Sequence, residues 1–107
     1  MSFLVYYPQV EGSIYMEYLI IGDSVHDAAE FAQDLYAEIL WDKRKRNGGH
    51  KPSRFLLPPD LRRGICAFLT EEYGYKRIPA RPYTEIYRAV VPHLAEMGVL
   101  MGRWGWR

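Results

Sequence analysis

SIYMEYLIIGDSVHDAAEF, residues 13–31, changes its period partway along, and that change decides the fold. Over residues 13–21 the side chains alternate as in a strand. Ile14, Met16, Tyr18 and Ile20 make one apolar face, while Ser13, Tyr15, Glu17, Leu19 and Ile21 make a mixed one. From Gly22 onward the signals are helical. Asp23 or Ser24 can accept from the free amides of a first turn, and Ser24 with Asp27 resembles a capping box with Asp in place of Glu. Val25, Ala28, Ala29, Ala32, Leu35, Tyr36, Ile39 and Leu40 then recur at helical spacing. Asp27, Glu30, Asp34 and Glu38 are left largely on the opposite face.

Upstream, FLVYYPQV (residues 3–10) is rich in β-branched and aromatic side chains, with Glu11 and Gly12 before the next run. The two runs read as a β-hairpin. Pro8 cannot donate to a ladder, so the first strand is an edge strand near that end. An edge carrying tyrosines allows pairing across a two-fold axis, that is, a homodimer.

Downstream, the helix runs into Lys43, Arg44, Lys45 and Arg46, where cations complement the negative pole of the dipole. Asn47, Gly48 and Gly49 end it and give a mobile connector. Pro58 and Pro59 precede a second helix from about Asp60 to Tyr73, with Leu61, Ile65, Phe68 and Leu69 as its buried stripe and Gly74 as its stop. Gly64 inside it costs about 1 kcal/mol relative to Ala, which close packing would explain. A third helical pattern follows, with Tyr83, Tyr87, Val90, Val91, Leu94 and Met97 near one face. Pro92 is expected to kink or divide it, and Gly98 closes it. The expected class is α+β: an N-terminal hairpin, an amphipathic helix packed on it, two further helices, and a short final strand or tail. One domain spans 1–107, with a flexible basic connector at about 43–59.

Charge is divided along the chain. Residues 1–42 hold eight acids and no Lys or Arg, whereas residues 43–107 hold all 14 Lys and Arg against five acids. The total of +1 conceals this division. Six of the cations fall within residues 43–54, and only part of that run is explained by a helix end, because dipole effects fade beyond the last turn. Charge asymmetry of this kind points to a polyanion-binding region or an acidic interaction surface. The alternative is that the halves neutralise each other across an ordinary surface.

With 107 residues, 49% of them apolar and 25% charged, the composition fits one globular core rather than two. The lone Cys66 cannot form an intramolecular disulfide and suits a reducing compartment. The opening segment lacks signal-peptide features, and no apolar run reaches the ~18 residues of a membrane span. A cytoplasmic location and no membrane partner are therefore expected.

HLAEMGVLMGRWGWR, residues 93–107, resembles the end of winged-helix DNA-binding domains, in which a helix closing with Leu-x-x-x-Gly enters an apolar strand and a basic wing. Leu94, Gly98, Val99 and Leu100 fit, with Arg103 and Arg107 where a wing is basic. The resemblance covers at most residues 60–107 and implies nucleic-acid contacts from Arg88, His93 and the wing. The sequence departs from that pattern in having two helical segments before the wing and Pro92 inside the recognition helix.

Catalytic and metal signals are sparse. His26, His50, His93 and Cys66 lack paired zinc-site spacings, and Cys66 reads as a structural thiol. Ser24, His26 and Asp27 carry the letters of a triad, but at a helix start they are more simply a cap and two solvent-facing groups. No phosphate loop, dinucleotide fingerprint or paired-carboxylate motif is present. Neither a cofactor nor a metal is expected.

The leading expectation is a non-catalytic regulator contacting nucleic acid through Lys43, Arg44, Lys45, Arg46, His50, Lys51 and Arg54, supported by Arg62, Arg63, Lys76, Arg77, Arg81, Arg88, Arg103 and Arg107. Sheet-surface tyrosines such as Tyr6, Tyr7, Tyr15 and Tyr18 could stack on unpaired bases. A second expectation is an inhibitor of the kind mobile elements and phages carry. It would bind a host protein or nucleoprotein complex through Asp27, Glu30, Asp34 and Glu38, with Trp104 and Trp106 as interface anchors. A small ribonuclease, with His50 moving protons beside Lys51 and Arg54, is the lesser alternative.

Overall fold

The computed structural model describes residues 18–100. A two-stranded antiparallel sheet, β1 (Tyr18–Ile21) and β2 (Ser24–Asp27), is followed by three helices: α1 (Ala28–Arg46), α2 (Pro58–Tyr73) and α3 (Ala80–Glu96). This is the expected ββααα order, and in the described hairpin the end of the expected strand 13–21 pairs with residues 24–27. Tyr18 pairs with Asp27, Leu19 with His26, Ile20 with Val25 and Ile21 with Ser24. The segment expected to start a helix is thus the second strand. Strand 3–10 of the expected hairpin lies outside the described residues.

The physical reason is the turn. Gly22 has φ +62° and Asp23 does not enter the positive region, which is the pattern of a tight hairpin with glycine at its first central position. Ladder pairing occupies residues 24–27, so the cap falls to Asp27 rather than to Asp23 or Ser24. Its Oδ1 accepts the Glu30 N–H at 3.1 Å. Burial along β1 does not alternate, since Ile20 at 9% exposed is buried between Leu19 and Ile21. Leu19 and Ile21 are 1% exposed and belong to the core, whereas Tyr18 is 46% exposed. Val25, assigned by sequence to the helix stripe, stands exposed on β2.

In α1 the buried residues are Ala28, Phe31, Ala32, Leu35 and Ile39, a single stripe at helical spacing. In α2 they are Leu61, Ile65 and Leu69, with half-buried Phe68 beside them. Gly74, at φ +70°, ends α2 where the chain must turn left-handed. Gly64 marks the crossing of α1 and α2. A Cβ there would stand 2.5 Å from Ile39 Cγ1 and 2.7 Å from its Cδ1. The glycine that weakens α2 locally therefore lets two helices approach.

Along α3, Ile86, Ala89, Val90, Val91 and Leu94 are buried. Tyr83, Tyr87 and Met97 are partly buried against the same core. Pro92 lies inside this helix without dividing it, although it removes one donor from the ladder. After Gly98, Val99 is buried and its carbonyl accepts the Leu56 N–H at 2.7 Å; Leu56 and Leu100 form a parallel bridge. Within the described residues the expected final strand is limited to that bridge. α1 rests on α2 and α3, and β1 rests on α3. Among the described residues no buried polar or charged side chain interrupts the core, and no helix is long and apolar enough to cross a membrane.

Candidate nucleic-acid interface

Charge changes sign along α1. Exposed Glu30, Asp34 and Glu38 give way to Lys43, Arg44, Lys45 and Arg46 in the last turn. The chain then folds back at Asn47, Gly48 and Gly49, with the Gly49 N–H donating to the Arg44 carbonyl at 2.9 Å. Arg44 Nε returns a bond to the Gly49 carbonyl at 3.3 Å.

Lys43 turns inward. Its Nζ donates to the Ser53 carbonyl at 3.4 Å, the Phe55 carbonyl at 3.0 Å and Asp60 Oδ2 at 3.2 Å. Asp60 Oδ2 also accepts the Leu57 N–H at 2.8 Å. One ammonium thus joins the end of α1, the connector and the first turn of α2, so Lys43 is a staple of the fold more than a surface cation. Replacing Lys43 by Met is expected to cost about 1–3 kcal/mol, since a charge-assisted bond is lost and Asp60 is left half-covered without its cation. Urea denaturation checks the cost.

That staple brings the basic end of α1 to the N-terminal half of α2. Arg44, Lys45, Arg46, His50, Lys51, Arg54, Arg62 and Arg63 are all exposed. Arg54 reaches toward the Gly98 carbonyl at 3.5 Å, and its guanidinium lies 4.8 Å from the Phe55 ring centroid. The Arg54 carbonyl accepts the Tyr36 hydroxyl at 2.6 Å, holding this part of the connector against α1. Arg46 pairs with Asp42 one turn back at 2.9 Å. Among the described residues this is the one ion pair between the acidic opening segment and the basic remainder; Lys43 pairs with Asp60, which lies in the basic remainder.

The other cations lie on other segments of the fold. Lys76 and Arg77 follow the C-terminal end of α2, whose 16 residues span roughly 24 Å. Arg81 opens α3 within electrostatic reach of Glu85, and Arg88 is exposed midway along α3. Half-buried His93 lies in the last turn of α3. Arg103, Arg107, Trp104 and Trp106 lie outside the described residues, as do Tyr6, Tyr7 and Tyr15.

Glu85 has a positional role that the sequence did not signal. Its Oε2 accepts the Ile20 N–H at 2.7 Å, satisfying the edge of β1 that faces α3. Burial raises its pKa above the ordinary carboxylate range, while that N–H and the Arg81 charge pull it back. The folded state therefore keeps a proton where the unfolded chain has lost it. Stability contributed this way is present below the unfolded pKa and falls as pH rises through the folded value. Glu85→Gln should flatten that dependence in thermal melts run from pH 4 to 7, while Glu85→Ala should lower stability at every pH by leaving Ile20 N–H unpaired.

The triad letters do not form a catalytic group. Ser24 sits in the ladder, Asp27 caps α1, and the His26 ring lies 5.6 Å from that of Phe31 with its buried Nε2 unpartnered among the described residues. Cys66 is half-buried on α2. Among the described residues no three His, Cys, Asp or Glu side chains converge as metal ligands would.

Two features lacked a sequence signal. Trp41 is 56% exposed on α1 between Glu38 and Asp42. An open cleft of about 490 Å³ lies between α2 and α3, lined by Pro58, Pro59, Arg62, Tyr83, Thr84 and Tyr87. The i, i+4 spacing of Tyr83 and Tyr87 was visible, but it fits core packing equally well. Compared with family models, curated proteins and solved structures, the chain matches none of them, so its function rests on the side chains described above.

Proposed function

We propose that this domain is a non-catalytic regulator that binds nucleic acid through the cationic end formed by the last turn of α1, the connector and the first turns of α2. Arg44, Lys45, Lys51, Arg54, Arg62 and Arg63 are the principal contacts, with His50 beside them. One observation carries this reading: among the described residues the acidic and basic parts of the chain share a single ion pair, Arg46 with Asp42. Exposed ion pairs contribute only ~0–1 kcal/mol each, so stability is a weak reason for clustering cations. Clustered cations do release counterions from a phosphate backbone. Lys43 is set aside as a structural residue, and Lys76 and Arg77 as peripheral.

Fluorescence anisotropy with labelled duplex and single-stranded oligonucleotides at low salt tests the reading. Micromolar to submillimolar binding is expected, as for sequence-independent contacts. No binding to DNA or RNA in either form would exclude it.

Exposed Trp41 favours a second reading, in which the acidic face of α1 engages a basic groove on a host protein or nucleoprotein complex, as an inhibitor from a phage or mobile element would. Tryptophan is a frequent anchor of protein interfaces, and Asp34 and Glu38 lie on the same exposed side. Loss of a pulled-down protein partner on changing Asp34 and Glu38 to Lys and Trp41 to Ala, with oligonucleotide affinity unchanged, would favour this reading. Retention of the partner would exclude it.

A further inference from the structure

The cleft between α2 and α3 combines three properties. Tyr83 and Tyr87, one turn apart on α3, present nearly parallel rings at 15° with centroids 6.3 Å apart. Arg62 comes from α2 beside the Tyr83 phenol, opposing with its charge the upward pKa shift that burial imposes there. Among the described residues no carboxylate lines the walls; Thr84 and the phenols supply the remaining polar groups. At about 490 Å³ the space falls in the ~300–1,000 Å³ range of small-ligand sites.

The N-terminus of α2 does not itself present an anion site here. Pro58 and Pro59 have no N–H, and the Asp60 N–H is taken by the Leu57 carbonyl at 2.9 Å. Among the lining residues Arg62 is the one cation for an anion, with the Thr84 and tyrosine hydroxyls as further donors. The ligand that satisfies an aromatic wall, one cation and no carboxylate is a planar group joined to an anion. The cleft opens next to the cationic end, because Pro58 follows directly on the connector that Lys43 ties to α1.

We infer that this cleft is a subsite for one unpaired nucleotide, with the base against Tyr87 and Tyr83 and its phosphate on Arg62. The inference rests on the reading of the cationic end as a nucleic-acid surface and adds a preference to it. The cations alone do not distinguish a duplex from a single strand, whereas an aromatic wall reaches only bases that are out of the stack. The domain then prefers single strands.

The test compares a labelled oligothymidine with a duplex of the same length, using the whole chain. Tyr87→Ala should weaken oligothymidine binding roughly tenfold, as loss of one stacked base does, and leave duplex binding unchanged. Tyr87→Trp should retain the preference. Arg62→Ala, a change at an exposed position, should lower the salt slope by about one. Circular dichroism identifies any variant that fails to fold, and uridine monophosphate titrated into the unmodified chain, followed by amide NMR shifts, tests the cleft without a variant.

Shifts at Arg62, Thr84 and Tyr87 are expected. Shifts confined to residues 44–54, or equal losses for both oligonucleotides on Tyr87→Ala, would overturn the cleft while leaving the cationic end in place. Cleft shifts that persist when charge reversals at residues 44, 45 and 51 leave oligonucleotide binding unchanged would retain the cleft and remove the wider surface. Shifts produced by a proline-rich peptide but not by the nucleotide would overturn the inference in favour of a peptide groove.

Discussion

Gly64→Leu should all but abolish the cooperative melt of this domain. A side chain at position 64 must enter space already filled by Ile39, whose Cγ1 would lie 2.5 Å from the new Cβ. Ile39 is 4% exposed and Leu35, at 3.6 Å from the same point, is 5% exposed, so neither can swing into solvent. Overpacking a core costs about 1–3 kcal/mol for small additions and more for large ones. Helix propensity acts the other way, since replacing glycine in a helix interior gains about 1 kcal/mol.

The two effects order the variants. Gly64→Ala should be destabilised by about 1 kcal/mol net, a fall of about 4–8 °C in Tm for a domain of this size. Gly64→Leu should lose about 3 kcal/mol or more, a large share of the ~5–15 kcal/mol available. Calorimetry decides between propensity and packing: a rise in Tm for Gly64→Ala would mean that α1 and α2 do not approach as closely as described.

The second large effect concerns binding. Reversing Arg44, Lys45 and Lys51 to Glu should lower oligonucleotide affinity roughly 100-fold or more at low salt, because three counterion-releasing contacts become repulsive. The melting temperature should fall by only a few degrees, since all three are exposed. The loss is confined to the helix-end charge of residues 44 and 45, about 0.3–1 kcal/mol each, and the Arg44 bond to the Gly49 carbonyl. Reversal of Lys76 and Arg77, beyond the far end of α2, is the control. An equal loss from that pair would mean that positive charge acts diffusely and that no particular end of the molecule binds.

The helices were legible because each carries its own boundary chemistry. Ala28, Ala32, Leu35 and Ile39 keep one period, Gly74 supplies the left-handed stop, and Pro58 needs no N–H at a first turn. Gly64 was also legible as a packing glycine, although its partner Ile39 was not. What was misread is residues 24–27, taken for a helix start when they form a strand paired with Tyr18–Ile21. Gly22–Asp23 carries the turn signal of the described hairpin, while the Glu11–Gly12 turn lies outside the described residues. That pairing moved the helix start from Ser24 to Ala28.

The site was legible in composition and not in detail. Residues 43–54 announced a cationic region, but one-dimensional reading could not tell that Lys43 points at Ser53, Phe55 and Asp60 while its neighbours face solvent. Long-range geometry made the difference, since Asp60 is 17 positions away. For the same reason Glu85 gave no hint of its bond to Ile20, 65 positions distant. The cleft joins residues from two helices and has no sequence motif.

The salt dependence of affinity tests the central claim most directly. The logarithm of the oligonucleotide association constant should fall linearly with the logarithm of salt concentration, with a slope of about −0.9 per duplex phosphate contact. Neutralising Arg44, Lys45 and Lys51 should make that slope shallower by about three contacts' worth. A slope near zero, or one that the triple substitution leaves unchanged, would contradict the assignment of this end of the molecule to nucleic acid.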